Sequence, residues 1–338
     1  MMNTKTNEIY GRDPVVNAND IRVHVLNIDS RYRDSILEPA TNFHWTLPSP
    51  LRNCIRARIT SVELPNTWLA FTKKRGNVSF TIQALDSVGI NQTGVLAIPN
   101  GNYDISGMLA AIQTALDDWA AIVGIFFEVQ YTPVTGIFTW KFLGTGAGSP
   151  TNPPTAPFEI NFNAIGNPIN KSRGVLGLGF YLGFAQPSYS VSTTDGSGNI
   201  VLTGNCPVNL LVDPYVMLAI RDLNVITSKT AENYFDAFAK IPVKVPKGEY
   251  TFLNYQDLVG DEFTATGPTD LKILLIQLLD RNGDLIDNCI DFSFSLEILE
   301  VMNLTLHDHY RNYTWLGQVP RIGAGARGSA VAGYLPLF

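Results

Sequence analysis

The sequence predicts a mainly β fold that carries one inserted helix-plus-hairpin (α+β) segment. Three observations predict it. Apolar residues alternate with polar ones at period two in most of the ordered-looking runs, the spacing of strands with one buried face. Charged residues make up 16 % of the chain and hydrophobic residues 45 %, with 28 Gly and 20 Pro. That is the composition of many strands joined by tight turns, not of a disordered chain, which needs low hydrophobicity and high charge. One stretch alone, NGNYDISGMLAAIQTALDDWA, has helical spacing.

Along the chain, Ile21, Val23 and Val25 share one strand face, as do Phe43, Trp45 and Leu47. In CIRARITSVEL, Ile55, Ala57 and Ile59 alternate with Arg56, Arg58 and Thr60, which predicts one apolar and one cationic face. Val78, Phe80, Ile82 and Ala84 continue the pattern, followed by FFEVQYT, GIFTWKF, FEINF, YVMLAIRDL, FAKIPVKV and FSFSLEILEV. LKILLIQLL is apolar on both faces and suits a central strand. In the helix, Leu109, Ile112, Leu116 and Trp119 line one side, and Asp104 or Ser106 can accept a backbone N–H at its start. Such a helix covers a sheet face.

Turn residues divide the runs. Asn282-Gly283 within RNGD predicts a type I′ hairpin, which requires positive φ at both central residues. Pro48, Pro50, Pro65, Pro242 and Pro246 limit strands or mark edges. LGTGAGSPTNPPTAP (143–157) and TTDGSGN (193–199) read as long loops. The stretch 95–185 therefore reads as an insertion between two β parts, 21–94 and 186–306, with end segments 1–20 and 307–338 that lack strand periodicity. A length of 338 residues fits about two domains, or one elaborated β domain.

Several function classes lose support at once. A net charge of −6 is no basic footprint for nucleic acid. The N-terminal MMNTKTNEIYGRDP lacks the apolar centre of a signal peptide. The longest uncharged run, from Gly174 to Thr194, is broken by Gly, Gln, Pro and Ser and makes no membrane helix. Cys54, Cys206 and Cys289 are far apart and odd in number, so reduced thiols in a cytosolic compartment are expected. The N-x-S/T sequons at Asn77, Asn91, Asn170, Asn303 and Asn312 then follow from an Asn- and Thr-rich chain.

Catalytic and metal patterns fail one by one. His307-Asp308-His309 could present two imidazoles on one strand face, yet no further ligand stands near them in sequence. DRNGD opens like a calcium loop but has Leu285 in place of the required Gly and Asp291 in place of the closing Glu. GTGAG (144–148) and GLGFYLG (177–183) neither follow a strand nor open a helix as a phosphate loop does, and read as loop and close-packing glycines. No GxSxG, HExxH or C-x-x-C array exists. The reading is therefore of a protein that is not an enzyme and takes no cofactor. Arg56, Arg58 and the Lys73-Lys74-Arg75 run read as a solvated face and a charged turn, or as contacts to nucleic acid or an acidic partner.

The order of pieces is more specific than any one of them. NIDSRYRD is followed by NFHWTLPSPL, IRARITSVELPNTW, IPNGNYDISGMLAAIQTAL, LGLGFYLGF, AKIPV, GPTDLKILLIQLLDRNGDLID and FSFSLEI. Over residues 20 to 300 this order resembles the penton and minor capsid proteins of nucleocytoplasmic large DNA viruses. The resemblance implies a jelly-roll-type antiparallel β-sandwich and extended terminal arms that lace neighbouring subunits. It implies a non-enzymatic place in an icosahedral virion assembled in host cytoplasm, with no catalytic residue to carry over. Its partners would be the major capsid protein and other minor capsid proteins, or four further copies in a homopentamer. Contact with an internal viral membrane layer is compatible with it, without a membrane-spanning segment.

NIDSRYRD itself reads as a strand exit and corner, with Asp29 and Asp34 able to pair with Arg31 or Arg33 and Tyr32 packed alongside. It reads equally as an interface contact, because Arg and Tyr are enriched at binding hot spots. The interface candidates are Arg31, Tyr32, Arg33, Arg56 and Arg58, with Arg321, Arg327, Tyr334, Leu335 and Phe338 in the Gly-rich tail. A receptor- or glycan-binding virion protein is the alternative. It would want exposed Trp and Tyr in the loops 143–157 and 185–199, which offer Tyr189 alone.

Overall fold

The computed structural model describes residues 21–154, 156–162, 177–229, 234–259, 262–287 and 291–302. In chain order the elements are β1 (Ile21–Asp29), β2 (Asn42–Pro65), β3 (Ser79–Leu85), β4 (Asn91–Ala97), α1 (Ile105–Val123), β5 (Ile125–Thr132), β6 (Ile137–Thr145) and β7 (Phe158–Asn161). There follow α2 (Leu178–Tyr181), β8 (Ser188–Val191), β9 (Ile200–Thr203), β10 (Tyr215–Ile220), β11 (Ile226–Lys229) and β12 (Tyr234–Ala237). The described chain closes with β13 (Ala239–Pro242), β14 (Tyr250–Asn254), β15 (Glu262–Leu279) and β16 (Ser293–Val301). The fold is mainly β, every strand pair just described is antiparallel, and the architecture is consistent with the expected jelly-roll-type sandwich.

The largest sheet has the order β1-β16-β2-β15-β10-β13, with β14 also on β2. Ile28 near one end of this order and Ile241 at the other join the same core, so the sheet curls over itself. β2 makes the curl. It runs 24 residues and carries two extra residues relative to β16, Ile55 and Thr60, where the register shifts. Each bulge inverts the side-chain alternation. Cys54 points to the core before the first, Ala57 and Ile59 between them, and Val62 and Leu64 after the second. The expected uniform face of Ile55, Ala57 and Ile59 is thereby corrected: Ile55 is the bulge residue and is only half-buried. β15 is central as expected, and its second apolar face is covered only at the Leu279 end, by Met217, Ala219 and Ala237, while Ile273 stays exposed.

A second core lies in the stretch 70–212, which contains the segment expected as an insertion. A four-stranded sheet, β4-β3-β7-β8, faces a three-stranded one, β5-β6-β9. Aromatic side chains fill the space between them: Phe80 against Trp140, and Phe158 against both Phe127 and Phe142. Helix α1 buries Met108, Ile112, Leu116 and Trp119 in this core. Its start is capped by Asp104, which accepts from the Gly107 N–H at 2.7 Å. Its end is Gly124 in the left-handed conformation, which a Cβ disfavours.

The hairpin after β15 corrects the type I′ expectation. Gly283 has φ +84°, but Asn282 is not in the positive-φ region. Asp280 N–H donates to Asp284 O, Gly283 N–H donates to Asp280 O, and the Asp280 carboxylate accepts from the Asn282 and Asp284 N–H groups. This is a type I turn with glycine in the following left-handed position, braced by an aspartate side chain. The glycines of GLGFYLG pack closely, as expected: a Cβ on Gly179 would lie 2.4 Å from the Phe162 ring.

Candidate interaction surface

The segment NIDSRYRD is a pinned corner. β1 ends at Asp29, whose carboxylate caps a single 3₁₀ turn, Ser30–Tyr32, through the Arg31 N–H at 2.9 Å. The Arg31 guanidinium closes back onto the same carboxylate. That hydrogen bond, acting against burial, holds the Asp29 carboxyl below its ordinary value. Arg33 does not pair with Asp34. Its guanidinium donates to the carbonyls of Ser30 and Glu38 and to Asp291, 258 residues later. Asp34 instead accepts from the Thr46 N–H and hydroxyl at 3.0 and 2.7 Å. The expected Asp34–Arg pairing is thus corrected: the backbone extends past the 3₁₀ turn and aims Asp34 at β2. Ser30 Oγ completes the corner, donating to Asp291 and accepting from the Phe292 N–H. Tyr32 is 74 % exposed rather than packed, with the Arg31 guanidinium 5.9 Å from its ring centroid.

Beyond this corner lies the outer face of the curled sheet. Register places Val25, Glu297, Arg58 and Glu262 in one row across β1, β16, β2 and β15. Val23, Leu299, Arg56 and Thr264 form the next. Directly opposed residues in a sheet share a face. Glu297 Oε1 lies 3.1 Å from Arg58 and 3.5 Å from Arg56, and Glu262 reaches Arg56 at 3.8 Å. The Arg58 guanidinium sits over the Tyr255 ring at 5.1 Å. The expected cationic face is corrected: β16 and β15 bring carboxylates beside both arginines, so the centre of the face is neutral. Both arginine Nε atoms are covered yet lack a hydrogen-bond partner. Around this centre stand exposed apolar groups, Val23, Val25, Tyr250 and Phe252, the last two stacked on each other.

A third polar group joins the two cores. The chain leaves the first core at Trp68 and enters the second at Ala70, then returns between Val212 and Val216. At this passage the buried Asp213 accepts from Arg75 at 2.7 Å and from the Trp68 indole at 2.9 Å. Arg75 also faces the buried Asp280 at 3.6 Å. Burial works against the Arg75 charge, but Asp213 and Asp280 hold its pKa above the ordinary arginine value. Burial pushes the Asp280 carboxyl up, against the pull of Arg75. Lys73-Lys74-Arg75 is therefore not a simple charged turn: Arg75 is a buried brace, and Lys74 reaches Asp287.

Of the residues expected at an interface, the structure brings Arg56 and Arg58 together and separates them from the Arg31–Arg33 corner. Arg321, Arg327, Tyr334, Leu335 and Phe338 lie outside the described residues, as do the His307-Asp308-His309 run and Cys289. Among the described residues no group of three or more His, Cys, Asp or Glu is placed to hold a metal, and no helix is long and apolar enough to cross a membrane. The Asn77 sequon is buried, its amide bonded to Ala70 and Thr72.

No family model matches the chain, and no curated protein does. Among solved structures, the crystal structure of the mavirus penton protein is similar over 82 % of this chain and 99 % of that one, with a TM-score of 0.42 and 10 % sequence identity.

Proposed function

We propose that this protein is a non-enzymatic structural component of an icosahedral DNA-virus capsid, a penton or minor capsid protein. It binds neighbouring capsomers through the outer face of its curled sheet and through its terminal arms. The observation that carries this reading is the outer face: an ion-paired centre at Arg56, Arg58 and Glu297, flanked by exposed Val23, Val25, Tyr250 and Phe252. Arg and aromatic residues around a water-excluding centre are the make-up of binding hot spots. The order of sequence pieces from NIDSRYRD to FSFSLEI supports the same class. The partners are other capsid proteins, the major capsid protein among them, in a virion assembled in host cytoplasm.

Native mass spectrometry of the chain, with and without residues 317–338, tests the reading. A pentamer supports the vertex role, because a five-fold ring needs a head-to-tail contact of this kind. Its loss on deletion assigns the tail to the contact. A chain that stays monomeric and fails to join particles of co-expressed major capsid protein overturns the reading. The attachment-protein alternative fares worse. Its one candidate aromatic, Tyr189, lies in strand β8 rather than a loop and is occupied in the fold, accepting from the Gln186 N–H, donating to Asn205 and packing on Phe162 and Phe184.

A further inference from the structure

Strand β1 ends the large sheet, and among the described residues no strand pairs with its outer edge. It pairs with β16 through nine consecutive positions without a register shift. It holds no proline, lysine or bulge and one arginine, Arg22, and its outward residues Val23 and Val25 are 56 % and 64 % exposed. Edge strands of this kind are templates for a further strand, and proteins that do not use them blunt them. The opposite end of the same sheet is blunted: β13 has four residues, ends in Pro242 and exchanges hydrogen bonds between Lys240 and Val259.

We infer that the outer edge of β1 receives residues 303–310 of a second copy of this chain as an added strand. This rests on the capsid reading above and specifies one of its contacts. Residues 303–338 follow β16, and they open with Leu304 and Leu306 alternating with Asn303, Thr305 and His307. Residues 1–20 contain no such run. The point of departure excludes the chain's own β1. β16 ends at Val301, which faces Ile21 at the start of β1. To lie antiparallel to its own β1, the chain would have to run parallel to β16, which needs a crossover of about a dozen residues. That length uses up the alternating run. To lie parallel, it would have to cross the entry of residues 1–20 into β1 on the same sheet edge, a crossing that connections avoid. A neighbouring copy meets neither obstacle. Main-chain hydrogen bonds supply the affinity, and Val23 and Val25 supply a face for Leu304 and Leu306.

Cysteine cross-linking between two differently tagged copies, both Cys206→Ser and Cys289→Ser, tests this. One copy carries Val25→Cys. The other carries Leu304→Cys, Leu306→Cys or Asp308→Cys in turn. A disulfide-linked heterodimer that disappears on reduction is expected for at least one pair, and Val25→Lys is expected to weaken self-association at least tenfold. Cross-linking only within one chain, in a variant carrying both cysteines, overturns the second copy as occupant. No link in a protein that native mass spectrometry shows to be oligomeric overturns the β1 contact and leaves the capsid reading standing. A strictly monomeric wild-type chain that joins no particle overturns both.

Discussion

Arg75 Nη1 and Asp213 Oδ2 stand 2.7 Å apart where the chain passes between its two cores. Neither residue is near the other in sequence, and both side chains are largely buried, at 17 % and 2 % exposure. Removing one partner of a buried ion pair leaves a charge that nothing compensates. Here Arg75 faces two carboxylates, so Arg75→Met strands both. Its unfolding free energy in urea is expected to fall by about 3–5 kcal/mol. Asp213→Asn is milder, because an amide oxygen still accepts from the Trp68 indole. A loss below about 1 kcal/mol for Arg75→Met would mean that the pair contributes no more than a surface contact.

Two carboxylates set opposite pH dependences. Asp29 has its folded pKa lowered by the hydrogen bond from Arg31. Its contribution is present above the ordinary aspartate value of about 3.9 and is lost as pH falls through the lowered value. Asp280 has its folded pKa raised by burial. Its contribution is present below about 3.9 and is lost as pH rises through the raised value. Asp280→Asn keeps an oxygen for the Asn282 and Asp284 N–H groups and removes the titration. Urea midpoints measured from about pH 4 to 7 are expected to decline less in this variant than in wild type. Parallel curves would show that Asp280 does not titrate in that window.

Helix α1 docks through Trp119 onto a gap in β4. A Cβ at Gly94 would lie 2.8 Å from the Trp119 indole, a rigid ring held at 7 % exposure. Gly94→Ala is expected to lower stability by about 1–3 kcal/mol through overpacking. Gly94→Ala with Trp119→Leu is expected to recover part of the Ala loss, as coupled neighbours do. If the two losses simply add in thermal unfolding, the indole does not occupy that gap.

What the sequence makes legible follows from the range of each interaction. The α1 cap and its apolar stripe act within a few residues, and Ile112, Leu116 and Trp119 are read directly; Leu109 is displaced by Met108 from the most buried position. Strand existence follows from alternation, but strand facing does not survive a bulge. Nothing in CIRARITSVEL announces that Ile55 and Thr60 are inserted relative to β16. β1 shows the same limit, since Val23 and Val25 share a face as expected while that face turns outward. Long-range polar pairs are invisible to local reading. Arg33 chooses Asp291 over the nearby Asp34, and Arg58 finds Glu297, because sheet order puts β16 beside β1 and β2. A carboxylate-bearing strand such as SLEILE was the available signal for the second pairing.

The two described cysteines differ in reactivity for a physical reason. Cys54 lies in the first core at 4 % exposure, and burial pushes its thiol up to about 11. The thiolate is the reactive form, so Cys54 is inert near neutral pH. Cys206 is exposed. In a Cys289→Ser variant, titration with a thiol reagent is expected to show one fast thiol in the native state and a second only after denaturation. Rapid labelling of both would place Cys54 outside the core.

The Arg58–Glu297 pair should matter more to association than to folding. Arg58 is 27 % exposed and Glu297 18 %, so solvent screens part of the pair and its contribution to the isolated chain is about 1 kcal/mol or less. Covered by a neighbour, the same guanidinium keeps its carboxylate and its Tyr255 ring while losing water. Arg58→Ala is therefore expected to weaken self-association more than tenfold, above about 1.4 kcal/mol, with a smaller shift in the urea midpoint of the monomer. Dissociation followed by native mass spectrometry separates the two effects. A variant that unfolds earlier but associates with unchanged affinity would confine Arg58 to bracing β2 against β16.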